Sequence, residues 1–401
     1  MADVKIFANI FEGKALEQVH MLLKQDSFSN EKIRIMPDGH SGAGCVIGFT
    51  STYTDKIIPN IIGVDIGCGM QVIELGKIEI DLPKFDEAIR SVIPLGLDVC
   101  ERTNKYAKEI IEQLYCVRHL KERRRLESSL GSLGGGNHFI ELDEDAEHNK
   151  YLVIHTGSRN LGKQVAEYYQ NLAIKNLHKG NKEERNKVIA KLKADNRCKD
   201  IQSELSKYDF GIRKDIPKDL CYLENKDAEN YLHDMKLCQL FAVKNRNRIR
   251  EQILRVLNSD DSFTYWESVH NYIGEDNIIR KGAISAKLGE KVIIPLNMRD
   301  GCIIGLGKGN DDWNNSAPHG AGRIMSRTQA EDTLSVDEFK DTMQGIYSTS
   351  VCKETLDESP MAYKPSKEIV ESIKPTVDIV NIIKPIYNLK ATEKHKRWSK
   401  K

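Results

Sequence analysis

Residues 131–142 read GSLGGGNHFIEL and pose a chemical problem. Gly134, Gly135 and Gly136 run directly into Asn137 and His138, and Glu141 follows three residues after the histidine. Bare backbone offers N–H groups to an anion, and an amide, an imidazole and a carboxylate stand beside it. A second stretch, GVDIGCGM, sets Asp65 and Cys68 three apart, with Gly67 and Gly69 flanking the sulfur. Glycine lets the chain turn both side chains toward one point. On its own the pair reads equally well as a buried cysteine beside a turn-capping aspartate. His155 ends the run YLVIH and His270 ends FTYWESVH, where a strand would present a ligand. Three such histidines with an aspartate and a cysteine make a metal donor set. They suffice for one ion, and nearly for two if the thiolate is shared. The donor types alone point to zinc.

Phosphate is the second theme. GSLGGGN and HTGSRNLGKQ are both Gly/Ser-rich turns between strand and helix, where exposed N–H groups and a helix N-terminus favour anions. Arg159 adds a planar cation suited to bidentate contact. No GxxxxGK[ST] is present. The third theme is NNSAPHGAGRIMSR, residues 314–327, where His319 precedes Gly320, Ala321 and Gly322 and Arg323 and Arg327 follow. A histidine fixed there can act as a covalent nucleophile toward a phosphoryl or nucleotidyl group; alone, a backbone-bonded turn histidine explains it as well. His233, next to Asp234 on a polar helix, reads as solvated or locally paired.

The elements that must position these residues alternate along the chain. Helical spacing is predicted over 15–26, 84–128, 163–210, 227–257, 336–346 and 365–372. Short β-branched runs with glycine turns predict strands over 31–75, 136–142, 151–155, 263–325 and 377–389. In 227–257, Leu232, Met235, Leu237, Leu240, Phe241 and Val243 are the expected buried face. The glycine-rich stretches spread over the whole chain, which argues for one α/β domain with a single site built from distant loops. The 401 residues suffice for a sizeable core, and a net charge of +1 leaves nucleic-acid affinity to local patches. Nine scattered cysteines without a CxxC pair fit a reducing cytoplasm. No apolar run is long enough to span a membrane, and the charged start MADVKIFANIFEGK reads as no signal peptide.

Taken in order, MPDGHSGAG, GVDIGCGM, LGGGNHFIEL, HTGSRNLG, VHNY with RKGA, SAPHGAGRIMSR and the LKA near the end resemble the RtcB family of 3′-phosphate/5′-hydroxyl RNA ligases. The ordered set is specific and runs from about residue 36 to 390. The resemblance implies an α+β-type fold of mixed and antiparallel sheets with flanking helices around one central di-metal cleft. It implies a domain over 1–390 and a basic, loose tail over 391–401. It makes Asp65, Cys68, His138, His155 and His270 ligands of two Mn²⁺ ions, the thiolate shared, and His319 the residue that becomes guanylylated by GTP. Asn137 through Phe139, Ile140 and Glu141, His270 with Asn271, His319 through Gly322, Arg159 and Lys390 become nucleotide or phosphate contacts. The partners implied are GTP, RNA with 3′-phosphate or 2′,3′-cyclic phosphate and 5′-hydroxyl ends, and an archease-like activator, with RNA repair or tRNA splicing as the setting.

The chain departs from the family where PLNMRDG, residues 295–301, replaces a loop of small residues. Pro295, Asn297, Met298 and Cys302 are the expected base contacts there. Basic runs at 118–125 and 244–255 are the candidate RNA surfaces. Two other readings use the same donors: a di-metal phosphoesterase or nuclease, which leaves APHGAGR and Lys390 without a role, and a metal-stabilised RNA-binding module, which calls for a closed four-ligand site.

Overall fold

The computed structural model describes residues 2–53, 55–179, 182–208, 213–259 and 262–391. The strands, in chain order, are β1 (Asp3–Ile6), β2 (Lys32–His40), β3 (Ile47–Thr52), β4 (Gly69–Gly76), β5 (Phe139–Glu144), β6 (Lys150–Thr156), β7 (Tyr265–Val269), β8 (Tyr272–Ile273), β9 (Ile278–Lys281), β10 (Ala283–Ser285), β11 (Lys291–Asn297), β12 (Gly301–Gly307), β13 (Ser316–Pro318) and β14 (Val377–Lys390). Seven form an antiparallel sheet in the order β11-β12-β14-β5-β6-β4-β7. Five form a mixed sheet, β1-β2-β3-β9-β8, in which only β1 and β2 run parallel. β10 and β13 make a two-stranded ribbon. The mixed α/β architecture with antiparallel sheets and flanking helices agrees with the expectation.

The middle of the large sheet, β4, β5 and β6, is buried on both faces, and its alternation decides what reaches the site. Ile140, Leu142, Leu152 and Ile154 face helices Leu82–Val92 and Asn225–Val256, packing with Phe85, Ile89, Ile249 and Ile253. Met70, Phe139, Val153, Cys302 and Ile304 form a second cluster. A further core joins the five-stranded sheet to the helices around Leu161–Tyr169 and Tyr231–Phe241.

The helix predicted over 227–257 spans Asn225–Val256, and the strand predicted at 377–389 spans Val377–Lys390. Two expectations need correction. The region 163–210 is broken into Arg159–Lys179, Lys182–Ala194 and Ile201–Leu205. The buried stripe of the long helix is also polar in part: Met235 and Phe241 are buried, but so are Asp234, Asn245 and Arg246, while Leu240 is 42% exposed. Helix Asn225–Val256 therefore buries hydrogen-bonding groups where apolar periodicity calls for leucines. Of the tail predicted over 391–401, all but Ala391 lies outside the described residues.

Candidate active site

The donor residues converge because antiparallel strands bring alternate ends to one sheet edge. The register pairs Phe139 with His155, His155 with Met70, and Gly69 with Val269. His138 therefore lies just before β5, His155 near the end of β6, Cys68 just before β4 and His270 just after β7. Asp65 comes from the turn leading into Cys68. Cys68 Sγ lies 3.4 Å from His138 Nε2 and 3.4 Å from His155 Nε2, and His138 Nε2 lies 3.0 Å from Asp65 Oδ2. The rings of His155 and His270 are 5.4 Å apart.

Two donor groups result, Asp65–Cys68–His138 and Cys68–His155–His270, and Cys68 belongs to both. This geometry fits metal ions. His155 Nδ1–H donates to the Asn137 carbonyl at 3.1 Å, leaving Nε2 with its lone pair. Burial holds His155 and His270 well below the usual imidazole range, which is the neutral, ligating form. Burial and the neighbouring Asp65 carboxylate push the Cys68 thiol well up, so a thiolate here calls for a cation beside it.

The long helix holds this edge in place. Asn245 accepts from the Gly131 N–H and donates to the Ser132 and Gly157 carbonyls, tying the two glycine-rich turns together. Arg246 donates to the Gly67 and Thr156 carbonyls at 3.1 and 2.9 Å and pairs with both oxygens of Glu267. Gly157 admits no side chain, because a Cβ would collide with the Asp65 carboxylate. The sequence pattern assigns Asn245 no role and sets Arg246 in a basic run expected at the surface. Arg246 and Arg250 are in fact buried, so 244–255 is not a continuous cationic face. In 118–125, Arg123 sits 3.9 Å from Glu112 and from Glu127.

Beside this edge lies a cavity of about 600 Å³. Its wall includes His319 with Gly320, Ala321 and Gly322, then Asn137, Phe139, Glu141, His155, Pro295, Asn297, Met298, Arg323 and Lys390. β13 pairs with β10 so that Pro318 faces Ala283, which brings His319 beside Gly282. The His319 ring is 4.8 Å from that of His270. Its Nδ1–H donates to Asp38 Oδ2 at 2.7 Å, and its backbone N–H reaches the same oxygen at 3.2 Å. Asp38 is fully buried, so this pair fixes the ring orientation and leaves Nε2 as the free nitrogen. The sequence pattern gives Asp38 no task of its own; the acid within the Asp-Gly-His motif is the one signal it carries.

Lys390 is 6% exposed, ion-paired to Glu358 at 2.8 Å and placed over the Phe139 ring at 5.3 Å. Burial raises the Glu358 pKa, but Lys390, Arg327 and Arg323 outweigh it and hold the carboxyl down at about 2. Glu141 accepts from Asn388 Nδ2 and from the Cys302 thiol.

Some predicted contacts sit elsewhere. The Ile140 side chain lies in the helix-side core. Asn271 donates to the Asp65 carbonyl and accepts from the Gly282 N–H, so it joins two turns. Arg159, at a φ of 58°, donates to Ser132 and to the Gly96 carbonyl behind the glycine loop. Cys302 is buried below Glu141 rather than in the cavity wall. Asn297 lines the cavity, but its amide is engaged by Asp300 and by the Arg299 and Asp300 N–H groups. His233 is locally paired with Asp234, as expected.

The chain is similar to known proteins over most of its length. A family model described as tRNA-splicing ligase RtcB matches residues 21–117 and 109–391. The RNA-splicing ligase RtcB of Escherichia coli strain K12 is 31% identical over 381 residues, covering 84% of each chain. The tRNA-splicing ligase RtcB of Aeropyrum pernix is 26% identical over 428 residues, 84% of this chain and 83% of the relative. That of Thermococcus kodakarensis is 24% identical over 463 residues, 93% and 89% of the two chains.

Proposed function

This chain belongs to the RtcB family and is an RNA ligase, and on that premise we propose that it joins RNA 3′-phosphate or 2′,3′-cyclic phosphate ends to 5′-hydroxyl ends using GTP, through a GMP carried on His319. The observation that supports this most is the His319–Asp38 pair. Its His319 forms part of the wall of the cavity that Glu141 also lines, with the ring 4.8 Å from His270 of the donor set and Asp38 buried behind it.

His319 Nε2 attacks the α-phosphorus of GTP. An N–P bond forms, the bond to the bridging oxygen breaks, and pyrophosphate leaves. Asp38 keeps the Nδ1 proton in place and stabilises the charge that develops on the ring. An oxygen of the RNA 3′-phosphate next takes the GMP, breaking the N–P bond and giving an RNA-pp-G end. The 5′-hydroxyl oxygen then attacks the 3′-phosphorus and GMP leaves. A cyclic phosphate end is first hydrolysed to the 3′-phosphate. Two Mn²⁺ ions, held by Asp65, Cys68 and His138 and by Cys68, His155 and His270, would supply Lewis-acid charge neutralisation. Glu141 accepts from the N–H edge of guanine, Lys390 leaves Glu358 for the nucleotide, and Arg323 with the His319–Gly322 turn lines the phosphate side.

We take residues 1–390 as one ligase domain, since Lys390 closes the site from the last strand. No helix among the described residues is long and apolar enough to cross a membrane, and nine free cysteines favour a reducing cytoplasm. An archease-like activator is a partner to test by adding it to the ligation reaction.

Intact-mass spectrometry after incubation with GTP and Mn²⁺ tests the proposal. The wild type gains one GMP and His319→Ala gains none while keeping its metals. A di-metal phosphoesterase using the same ligands would gain no nucleotide at all.

A further inference from the structure

Strand β5 alternates, so Glu141 and Asp143 share the face opposite Ile140 and Leu142. With Cys302 of β12 they form a third cluster, one ligand atom of each lying within 4.8 Å of the others. No step proposed above uses Asp143. It is fully buried, and neither of its carboxylate oxygens has a hydrogen-bond partner. Glu141 is better served: it accepts from Asn388 and from the single Cys302 thiol, and it shares the cavity wall with Lys390.

A charged carboxylate buried without a donor is strongly disfavoured. Two carboxylates this close do not both ionise. One proton between them removes both difficulties. The groups facing Glu141 are Asp143, Asn388, Lys390 and Cys302; those facing Asp143 are Glu141, Cys302 and Lys384. Asn388 and the Cys302 thiol both donate to Glu141, so the negative charge belongs there and the proton on Asp143.

We propose that Asp143 is a positioning residue for base recognition: it stands as a neutral acid whose O–H donates to the Glu141 carboxylate, and so keeps Glu141 a charged acceptor for the N–H edge of a nucleobase. The inference rests on the reading that this cavity takes GTP. Burial pushes Glu141 up to about 7, and burial plus the Glu141 charge push Asp143 well above the usual carboxylate range.

The pair then holds two useful states. With one proton, Glu141 accepts from both N1–H and the 2-amino group of guanine. With two, Glu141 offers one O–H and one C=O, the pattern that suits N1 and the 6-amino group of adenine. Glu141 gains its charge as pH rises above the usual carboxylate range, so the preference for GTP over ATP increases in that direction. It falls again once Asp143 ionises and the two carboxylates repel.

The test measures adduct formation with GTP and with ATP from about pH 6 to about pH 9, a range spanning the ordinary imidazole region. The full chain is used with Mn²⁺, comparing wild type, Asp143→Asn and Asp143→Leu. Asparagine is a neutral donor of the same shape. Asp143→Asn should keep the GTP/ATP ratio within about twofold at neutral pH and lose the alkaline fall, whereas Asp143→Leu should lower the ratio about tenfold, mainly through KM for GTP. A second readout needs no nucleotide: infrared difference spectra of the wild type at neutral pH should contain the C=O stretch of a neutral carboxylic acid that Asp143→Asn lacks. If that band is absent, or if Asp143→Asn loses the preference as fully as Asp143→Leu, the proposal is overturned. Metal analysis in which Asp143→Asn loses one ion would also overturn it by assigning the trio to a cation. A wild type that forms no adduct yet has the infrared band would instead defeat the GTP reading alone.

Discussion

The donor edge and the cavity beside it are neighbours built on different logic. At the edge, four consecutive strands of one sheet deliver Cys68, His138, His155 and His270 from their ends, with Asp65 on the adjoining turn. In the cavity, the walls come from the two larger sheets, from the turn after β13 and from other loops far apart in the chain: His319 with Asp38 behind it, the 295–298 stretch, Glu358 and the end of β14. A rigid sheet edge fixes donor spacing almost by register alone. The cavity depends on pairs of polar side chains, each holding another in place.

That contrast can be broken from either side, and the largest effect is expected at the edge. Cys68 belongs to both donor groups, so Cys68→Ala should remove more than one ligand's share of metal and abolish ligation. Elemental analysis that still finds two ions per chain would show the thiolate is not shared. In the cavity, Asp38→Asn keeps the shape but puts an amide where the Nδ1–H acceptor was. Adduct formation should slow by about a hundredfold or more, with metal content unchanged. A rate within a few-fold of wild type would remove Asp38 from the nucleophile's support.

Glu141→Gln should narrow the GTP/ATP ratio by about tenfold, because an amide presents a donor where two acceptors serve guanine. An unchanged ratio in side-by-side adduct assays would mean that Glu141 does not read the base. The smallest effect is expected at Asn297. Its amide is already engaged by Asp300 and by two backbone N–H groups. Asn297→Ala should therefore move the ratio less than about twofold while lowering thermal stability by about 1 kcal/mol, the usual cost of a lost turn bond. A larger change in base choice would put Asn297 back among the base contacts.

The same contrast governs what the sequence could reveal. Cys68 and three histidines at the ends of apolar runs declare themselves by type, and strand periodicity carried β4, β5, β6 and β14. Their meeting at one edge depends on register, which one chain's pattern does not contain. Asp38, Glu358, Asn388 and Asn245 carry no such mark, because their types are common and their importance lies wholly in the partner. Arg246 shows the difficulty plainly. In sequence it belongs to a basic run, and in the fold it is fully buried against Glu267 and two turn carbonyls. Asn297 shows the reverse, a residue at a site position whose hydrogen bonds close its own loop.

The central claim is that the nucleotide is carried by an imidazole nitrogen held by Asp38, with Lys390 only a contact. Tandem mass spectrometry of the GMP-modified chain, digested under mildly alkaline conditions that preserve an N–P bond, tests it directly. The nucleotide should map to the peptide containing His319. A nucleotide found on Lys390, or spread over other residues and undiminished in His319→Ala, would contradict the account.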